Sequence, residues 1–214
     1  MKKFLFGISF AFFVFLGCNN PSVVKSPATS NNFQNDPSAG WALLPFNKID
    51  SVNPILKPGA GSFIDPITTT KVLWEEKDVF NPAIVNRNGV IYMLYRAQDK
   101  VGKPDGTSRI GLALSTDAVH FLRLPGPIFY PDNDVYKKLE WEGGCEDPRV
   151  VQDSAGTYYM TYTGYDGHTA RLMIATSVDL LHWKKYGSVF AKAFRGKYAQ
   201  GWSKSGSIVS IYKN

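Results

Sequence analysis

Thr157-Tyr158-Tyr159-Met160-Thr161-Tyr162-Thr163 restates Val90-Ile91-Tyr92-Met93-Leu94-Tyr95-Arg96, and that repetition decides the fold. Both stretches are rich in residues that suit a pleated, half-buried surface. Each follows a glycine, Gly89 or Gly156, that punctuates a hairpin. Further along, Ile110-Gly111-Leu112-Ala113-Leu114-Ser115-Thr116-Asp117 matches Leu172-Met173-Ile174-Ala175-Thr176-Ser177-Val178-Asp179. Phe121 then falls opposite Trp183, and Pro127-Ile128-Phe129 opposite Ser188-Val189-Phe190. The Ile110 and Phe121 pairs share an offset of 62 residues and the Tyr-rich pair has 67, so loop lengths differ between the copies. Asp117 and Asp179 follow the third strand of each copy, where an Asp accepts hydrogen bonds from nearby backbone N–H groups and shapes a turn. Phe121 and Trp183 are expected to pack between copies.

The opening strands carry the chemistry. Asn81-Pro82-Ala83-Ile84-Val85, Asp147-Pro148-Arg149-Val150-Val151 and Ser205-Gly206-Ser207-Ile208-Val209 align. Each copy therefore holds about four strands, and four-stranded units at a roughly fixed period are the signature of a β-propeller. In a propeller the first strand of each blade runs beside the central channel and begins at one of its mouths. Asn81, Asp147 and the Lys204-Ser205 pair are then expected to converge from different blades. Polar residues at the starts of otherwise apolar strands need partners or a ligand. Two copies take up roughly residues 78–200, and a third begins at Ser203. About two and a half blades do not close a propeller, which needs roughly four to eight. The expectation is an all-β, incomplete propeller domain over residues 41–214, a piece of a longer one, with an open sheet edge near Ile208–Tyr212.

Composition agrees with a folded, strand-rich chain. Of 214 residues, 44% are hydrophobic and 20% charged, which excludes a disordered or fibrous protein. Aromatics at 14%, with 19 Gly and 13 Pro, favour strands and turns over helices. The two cysteines, Cys18 and Cys145, exclude a disulfide framework. His120, His168 and His182 are scattered, so no metal site is expected.

The amino terminus reads as an address. Met1-Lys2-Lys3 is a positive region, and Phe4 to Leu16 is an uncharged apolar run, too short for a membrane span and suited to a signal peptide. It ends in Phe15-Leu16-Gly17-Cys18, which resembles a bacterial lipobox with Phe15 where Leu is usual. Residues 1–17 are expected to be a lipoprotein signal peptide and Cys18 the lipidated first residue; the alternative is an ordinary secretory signal with an incidental cysteine. Residues 18–40, rich in Asn, Ser and Pro, read as a flexible tether. The expected location is the bacterial cell envelope, lipid-anchored at the periplasmic or outer-membrane face. Removing Lys2 and Lys3 with residues 1–17 takes the formal charge from +6 to +4. No Lys/Arg run interleaves with aromatics, so nucleic acid is not an expected partner, while a mild basic bias suits an anionic ligand such as phosphate.

A series of motifs resembles a known family. Gly144-Cys145-Glu146-Asp147-Pro148-Arg149, Tyr158 to Thr163, Tyr165-Asp166-Gly167 and Ala170-Arg171-Leu172 are similar to glycoside hydrolase family 130, the β-mannoside phosphorylases and related β-mannosidases. Asn81-Pro82-Ala83, Tyr95-Arg96-Ala97, Ser108-Arg109-Ile110-Gly111 and Trp202-Ser203-Lys204-Ser205-Gly206 also match, in the family's order. The resemblance covers roughly residues 72–214 and looks like the N-terminal half of the family domain. It implies a five-bladed propeller and Asp147 as catalytic acid. It further implies phosphorolysis of β-mannosides with inversion, in which inorganic phosphate, a co-substrate and not a cofactor, replaces the activated water of an inverting hydrolase. The proton would pass through the sugar's own 3-hydroxyl. Arg171 and Lys204 would hold phosphate, and Asn81, Arg96 and Asp105 would contact the sugar. Asp117-Ala118-Val119 stands where the family has Asp-Gly, a departure that touches a turn and not the chemistry.

The residues leave alternatives open. Asp147-Pro148-Arg149 could be a strand-entry salt bridge, with Arg149 favouring the ionised form of Asp147. Glu146 could raise the Asp147 pKa by like-charge repulsion, but adjacent strand residues point to opposite faces. Arg96 could cap a strand, Arg171 could pair only with Asp166, Lys204 could likewise be structural, and Asp105 could be a turn residue. Cys145 reads as a packed thiol. Rival functions are β-mannoside hydrolysis, a surface glycan-binding lipoprotein without turnover, and a different five-bladed glycosidase such as an arabinan-cleaving one, which needs three converging acids.

Overall fold

The computed structural model describes residues 49–103 and 105–209. The expected signal peptide, Cys18 and tether lie outside the described residues. A short antiparallel pair, β1 (Ser62–Ile64) and β2 (Lys71–Leu73), comes first. Two four-stranded antiparallel meanders follow. The first is β3 (Asp78–Arg87), β4 (Val90–Gln98), β5 (Ser108–Ser115) and β6 (Leu122–Arg123). The second is β7 (Gly144–Gln152), β8 (Tyr158–Tyr165), β9 (Ala170–Ser177) and β10 (Lys184–Ser188). A single helical turn, α1 (Lys137–Glu140), lies between them. The repeat seen in the sequence is thus an all-β repeat of strands.

Local chemistry explains the turns. Asn88-Gly89 links β3 to β4 with both residues at positive φ (53° and 79°), the conformation a two-residue hairpin requires. After β5 and β9 the same turn is built twice. Asp117 accepts from the backbone N–H groups of Val119 and His120, and Asp179 from those of Leu181 and His182. Both turns force a non-glycine residue to positive φ, Ala118 at 64° and Leu180 at 68°. Leu180 recovers that cost by full burial, whereas Ala118 is exposed. Ala118→Gly is therefore expected to stabilise the protein by about 0.5–1 kcal/mol, read as a raised urea midpoint, because glycine carries no left-handed penalty.

Strand β4 separates two cores. Its even positions Tyr92 and Leu94 face a cluster built with Ile110, Leu112, Phe129, Tyr162 and Met173; its odd positions Met93, Tyr95 and Ala97 face a second cluster around the fully buried Trp74. Period-two alternation then places Arg96 on the side of Leu94, toward the second meander. Phe121 packs on the Trp74 cluster and Trp183 on the larger one. The meanders are joined where Ser108 of β5 pairs in parallel with Gly144 of β7. Gly144 has φ 111°, and a Cβ there would clash with the Ser108 carbonyl oxygen, so this junction admits only glycine.

Among the described residues one expected strand is absent. Ser205–Val209 does not open a third ladder; the segment lies across the second meander instead. Thr161 Oγ1 donates to the Gly206 carbonyl at 2.6 Å, and Ser203 bonds Ala170 and Leu172. Among the described residues no neighbouring strand offers its backbone, and these side-chain bonds take the place of a ladder.

Candidate active site

The site grows from a defect repeated in both meanders. The ladder between β3 and β4 pairs Phe80 with Arg96 and then Ala83 with Leu94, skipping Asn81 and Pro82. The ladder between β7 and β8 pairs Glu146 with Thr163 and then Arg149 with Thr161, skipping Asp147 and Pro148. Asn81 and Asp147 sit at equivalent places with φ of 47° and 51°, and Ser205, third in the aligned series, has φ 56°. Such bulges re-aim a side chain out of the pleat, and a proline without an N–H suits the broken ladder. Left-handed backbone at three aligned non-glycine positions is strain concentrated at one place, a mark of functional sites.

The re-aimed side chains meet. Asn81 Nδ2 donates to Asp147 Oδ1 at 2.8 Å. Arg96 Nη1 donates to the same oxygen at 3.1 Å, its Nη2 to Glu146 Oε1 at 2.8 Å and its Nε to Ser108 Oγ at 3.0 Å, while the guanidinium lies 4.5 Å from the centre of the Phe80 ring. Lys204 Nζ reaches Glu146 Oε2 at 2.8 Å and Asp147 Oδ2 at 3.8 Å. Asp147 and Glu146 are buried, whereas Asn81 and Lys204 are exposed, so the cluster opens to solvent on one side. Burial pushes the Asp147 carboxyl up, but the Asn81 hydrogen bond and the Arg96 and Lys204 charges outweigh it and hold the group below the usual carboxylate range.

The structure thus unites Asn81, Arg96, Asp147 and Lys204 and adds Glu146. It differs from the sequence reading at two points. Glu146 and Asp147 do not face opposite ways, because the bulge at Asp147 turns both carboxylates onto the same two cations. Arg149 donates to the Pro148 carbonyl, and the cations on Asp147 are Arg96 and Lys204.

Two expected residues sit elsewhere. Asp105 is exposed and pairs with Lys77 at 2.7 Å. Arg171 is buried and pairs with Asp166 at 2.6 Å, with a long contact to Gln200. Arg171–Asp166 is the second copy of a pair in the first meander, where Arg109 holds Asp99 at 2.6 Å. The offsets are the same 62 and 67 residues that relate the strands. Arg109 also takes Asp65 at 2.6 Å, and all three of these side chains are fully buried. Cys145 is a buried thiol that desolvation and the nearby Glu140 push well up, which removes it as a nucleophile. Among the described residues no group of three His, Cys, Asp or Glu side chains could hold a metal.

The carboxyls of Asp65, Asp147 and Asp166 all lie below their usual range. Burial opposes each shift, and hydrogen bonds and guanidinium charges overcome it. A folded-state pKa below the unfolded one gives stability that is present above the ordinary aspartate value, about 3.9, and lost as pH falls through the folded values. The contribution of these three carboxyls to the urea midpoint is expected to stay level from pH 5 to 8 and to be lost below about pH 4. A midpoint that rises on acidification would show that burial dominates instead.

Comparison with known proteins gives the site a context. The family model described as β-1,4-mannooligosaccharide phosphorylase matches residues 50–213. A 1,2-β-oligomannan phosphorylase of Thermoanaerobacter sp. (strain X514) is 36% identical over 143 residues, covering 58% of this chain and 46% of that protein. A glycosyl hydrolase from Bacteroides ovatus is 48% identical with a TM-score of 0.74, over 77% of this chain and 47% of the other. A further structure, also 48% identical with a TM-score of 0.75, covers 78% of this chain and 47% of its own. It was reported with the statement that the GH130 family of mannoside phosphorylases contains glycoside hydrolases that target β-1,2 mannosidic linkages in Candida mannan. The chain spans about half the length of the curated relatives it matches.

Proposed function

Because the chain belongs to glycoside hydrolase family 130, we propose that it carries the acid half of the active site of an enzyme that cleaves β-1,2-mannosides with inversion. Asp147 gives its proton to the leaving oxygen, through the sugar's 3-hydroxyl. The observation that carries this is the matched pair of bulges that aims Asn81 and Asp147 at one another beneath Arg96. The two meanders are two blades of a five-bladed propeller, and the site lies at the mouth of its channel. Asn81 and Arg96 contact the sugar beside the cleaved bond. The Asn81 hydrogen bond and the Arg96 and Lys204 charges hold Asp147 ionised; a bound neutral sugar excludes water and raises its hold on the proton. The β-1,2 linkage is taken from the names of the relatives similar over individual residues, in preference to the β-1,4 linkage in the description of the family model.

Water is the nucleophile in this proposal. Among the described residues Arg96 and Lys204 are balanced by Glu146 and Asp147, and Arg171 by Asp166, so this part of the site offers a phosphate dianion no excess of positive charge. The base that activates the water would come from outside this cluster. Phosphorolysis, with phosphate on Lys204 and Arg171, is the second reading, favoured by the phosphorylase activities named for the curated relatives.

The protein, expressed with any coding sequence that continues past Asn214, decides between them when incubated with β-1,2-mannobiose with and without inorganic phosphate. Free mannose formed equally well in both supports hydrolysis. Mannose 1-phosphate formed only with phosphate replaces it with phosphorolysis, and no product from either sinks both. We also propose that Cys18 anchors the protein in the cell envelope, supported by the charged and apolar run before it. Palmitate labelling is expected in the wild type and absent in Cys18→Ser.

A further inference from the structure

Glu146 has a role that neither strand pairing nor packing explains. It is 4% exposed, and a buried carboxylate costs free energy unless charges compensate it. Its two oxygens take one cation each, Arg96 and Lys204, both at 2.8 Å. The same cations approach Asp147 at the longer distances of 3.1 and 3.8 Å. Four charges of alternating sign thus form a closed ring, in which each cation sits nearer to Glu146 than to Asp147. The equivalent position in the first meander, which has Asn81 in place of the acid, is the uncharged Phe80, whose ring lies against the Arg96 guanidinium. A carboxylate stands at this position only in the meander that carries the acid.

We propose that Glu146 is a positioning residue that sets the proton affinity of Asp147 by drawing Arg96 and Lys204 away from it. Among the described residues the charged groups facing Asp147 are Arg96 from β4, Lys204 from the segment across the second meander, and Glu146 from its own strand. Asn81 from β3, which donates to Asp147, is neutral, as are Ser108 from β5, which bonds Arg96, and Thr163 from β8, which pairs with Glu146. Without the Glu146 charge both cations act on Asp147 alone, its proton is held more weakly, and less of the acid is protonated at a given pH.

This rests on the reading of Asp147 as the acid. The experiment is the pH dependence of kcat for β-1,2-mannobiose, measured on the complete protein for wild type, Glu146→Gln, Glu146→Asp and Asp147→Asn. Loss of activity on the alkaline side reports deprotonation of the acid. In Glu146→Gln that limb is expected to move down by about one pH unit, so kcat falls about tenfold at neutral pH and recovers as pH is lowered. Glu146→Asp keeps the charge and is expected to keep the limb in place. A folded Glu146→Gln whose limb does not move, or which loses the same factor at every pH, overturns the proposal. Should Glu146→Gln fail to fold, Glu146→Asp carries the test, and a limb displaced despite the retained charge overturns it. Wild-type activity in Asp147→Asn would mean that the acid itself is misassigned. An inactive Asp147→Asn with an unmoved Glu146→Gln limb defeats only the role of Glu146.

Discussion

Asp147→Asn in the complete protein is expected to lower kcat for β-1,2-mannobiose by about 10²–10⁴-fold, the usual contribution of a general acid. The substitution keeps the size of the side chain but removes the transferable proton. The fold is expected to persist. Asn81 still has an oxygen to donate to, and Arg96 and Glu146 still satisfy one another at 2.8 Å. KM is expected to change far less than kcat, because the proton is needed in the transition state and not for binding. A loss confined to KM would make Asp147 a sugar contact and leave the acid unidentified. The same measurement separates catalysis from the binding-protein alternative, in which the substitution alters affinity and there is no turnover to lose.

Arg109→Met is expected to cost about 3–5 kcal/mol of stability, the largest effect on folding in the described structure. Arg109 lies between Asp65 and Asp99 at 2.6 Å on either side, with Phe63 under the guanidinium, and all three charged groups are fully buried. Removing the arginine leaves two carboxylates facing each other out of water. Urea unfolding, or failure to accumulate as soluble protein, reads the effect. Arg171→Met removes the equivalent residue of the second meander, where only Asp166 is paired and that carboxylate is partly exposed. Its cost is expected to be smaller. Equal losses at the two positions would contradict the burial argument.

These two sites mark what could and could not be read from the chain. The strands were legible because alternation along Val90–Arg96 and Tyr158–Thr163 repeats, and because Asn88-Gly89 specifies its own hairpin. The convergence of Asn81, Asp147 and Lys204 was legible from phase, since aligned positions in repeated units fall at the same height. The common orientation of Glu146 and Asp147 was not. Period-two reasoning assumes an unbroken ladder, and the bulge before Pro148 reverses it at that residue. The Asn-Pro and Asp-Pro pairs held the hint, since a proline in a central strand signals a broken ladder. The pairing of Arg109 with Asp99 was visible only by carrying the offsets of 62 and 67 residues beyond the strand cores to the loops. The part of Asp65 was hidden altogether, because it comes from a turn outside the repeat. The third opening strand failed for a different reason: a strand is made by its neighbour as much as by its own residues, and Ser205–Val209 has side-chain partners in place of a ladder.

The most direct test of the central claim is proton NMR of the free mannose first released from the methyl glycoside of β-1,2-mannobiose by the complete protein, followed from the earliest turnovers beside Asp147→Asn. Inverting cleavage with Asp147 as acid predicts that α-configured mannose appears first, mutarotating later, and that Asp147→Asn forms almost none. β-Mannose appearing first would require a covalent intermediate and a second carboxylate close by. That result, or undiminished cleavage by Asp147→Asn, would contradict the account.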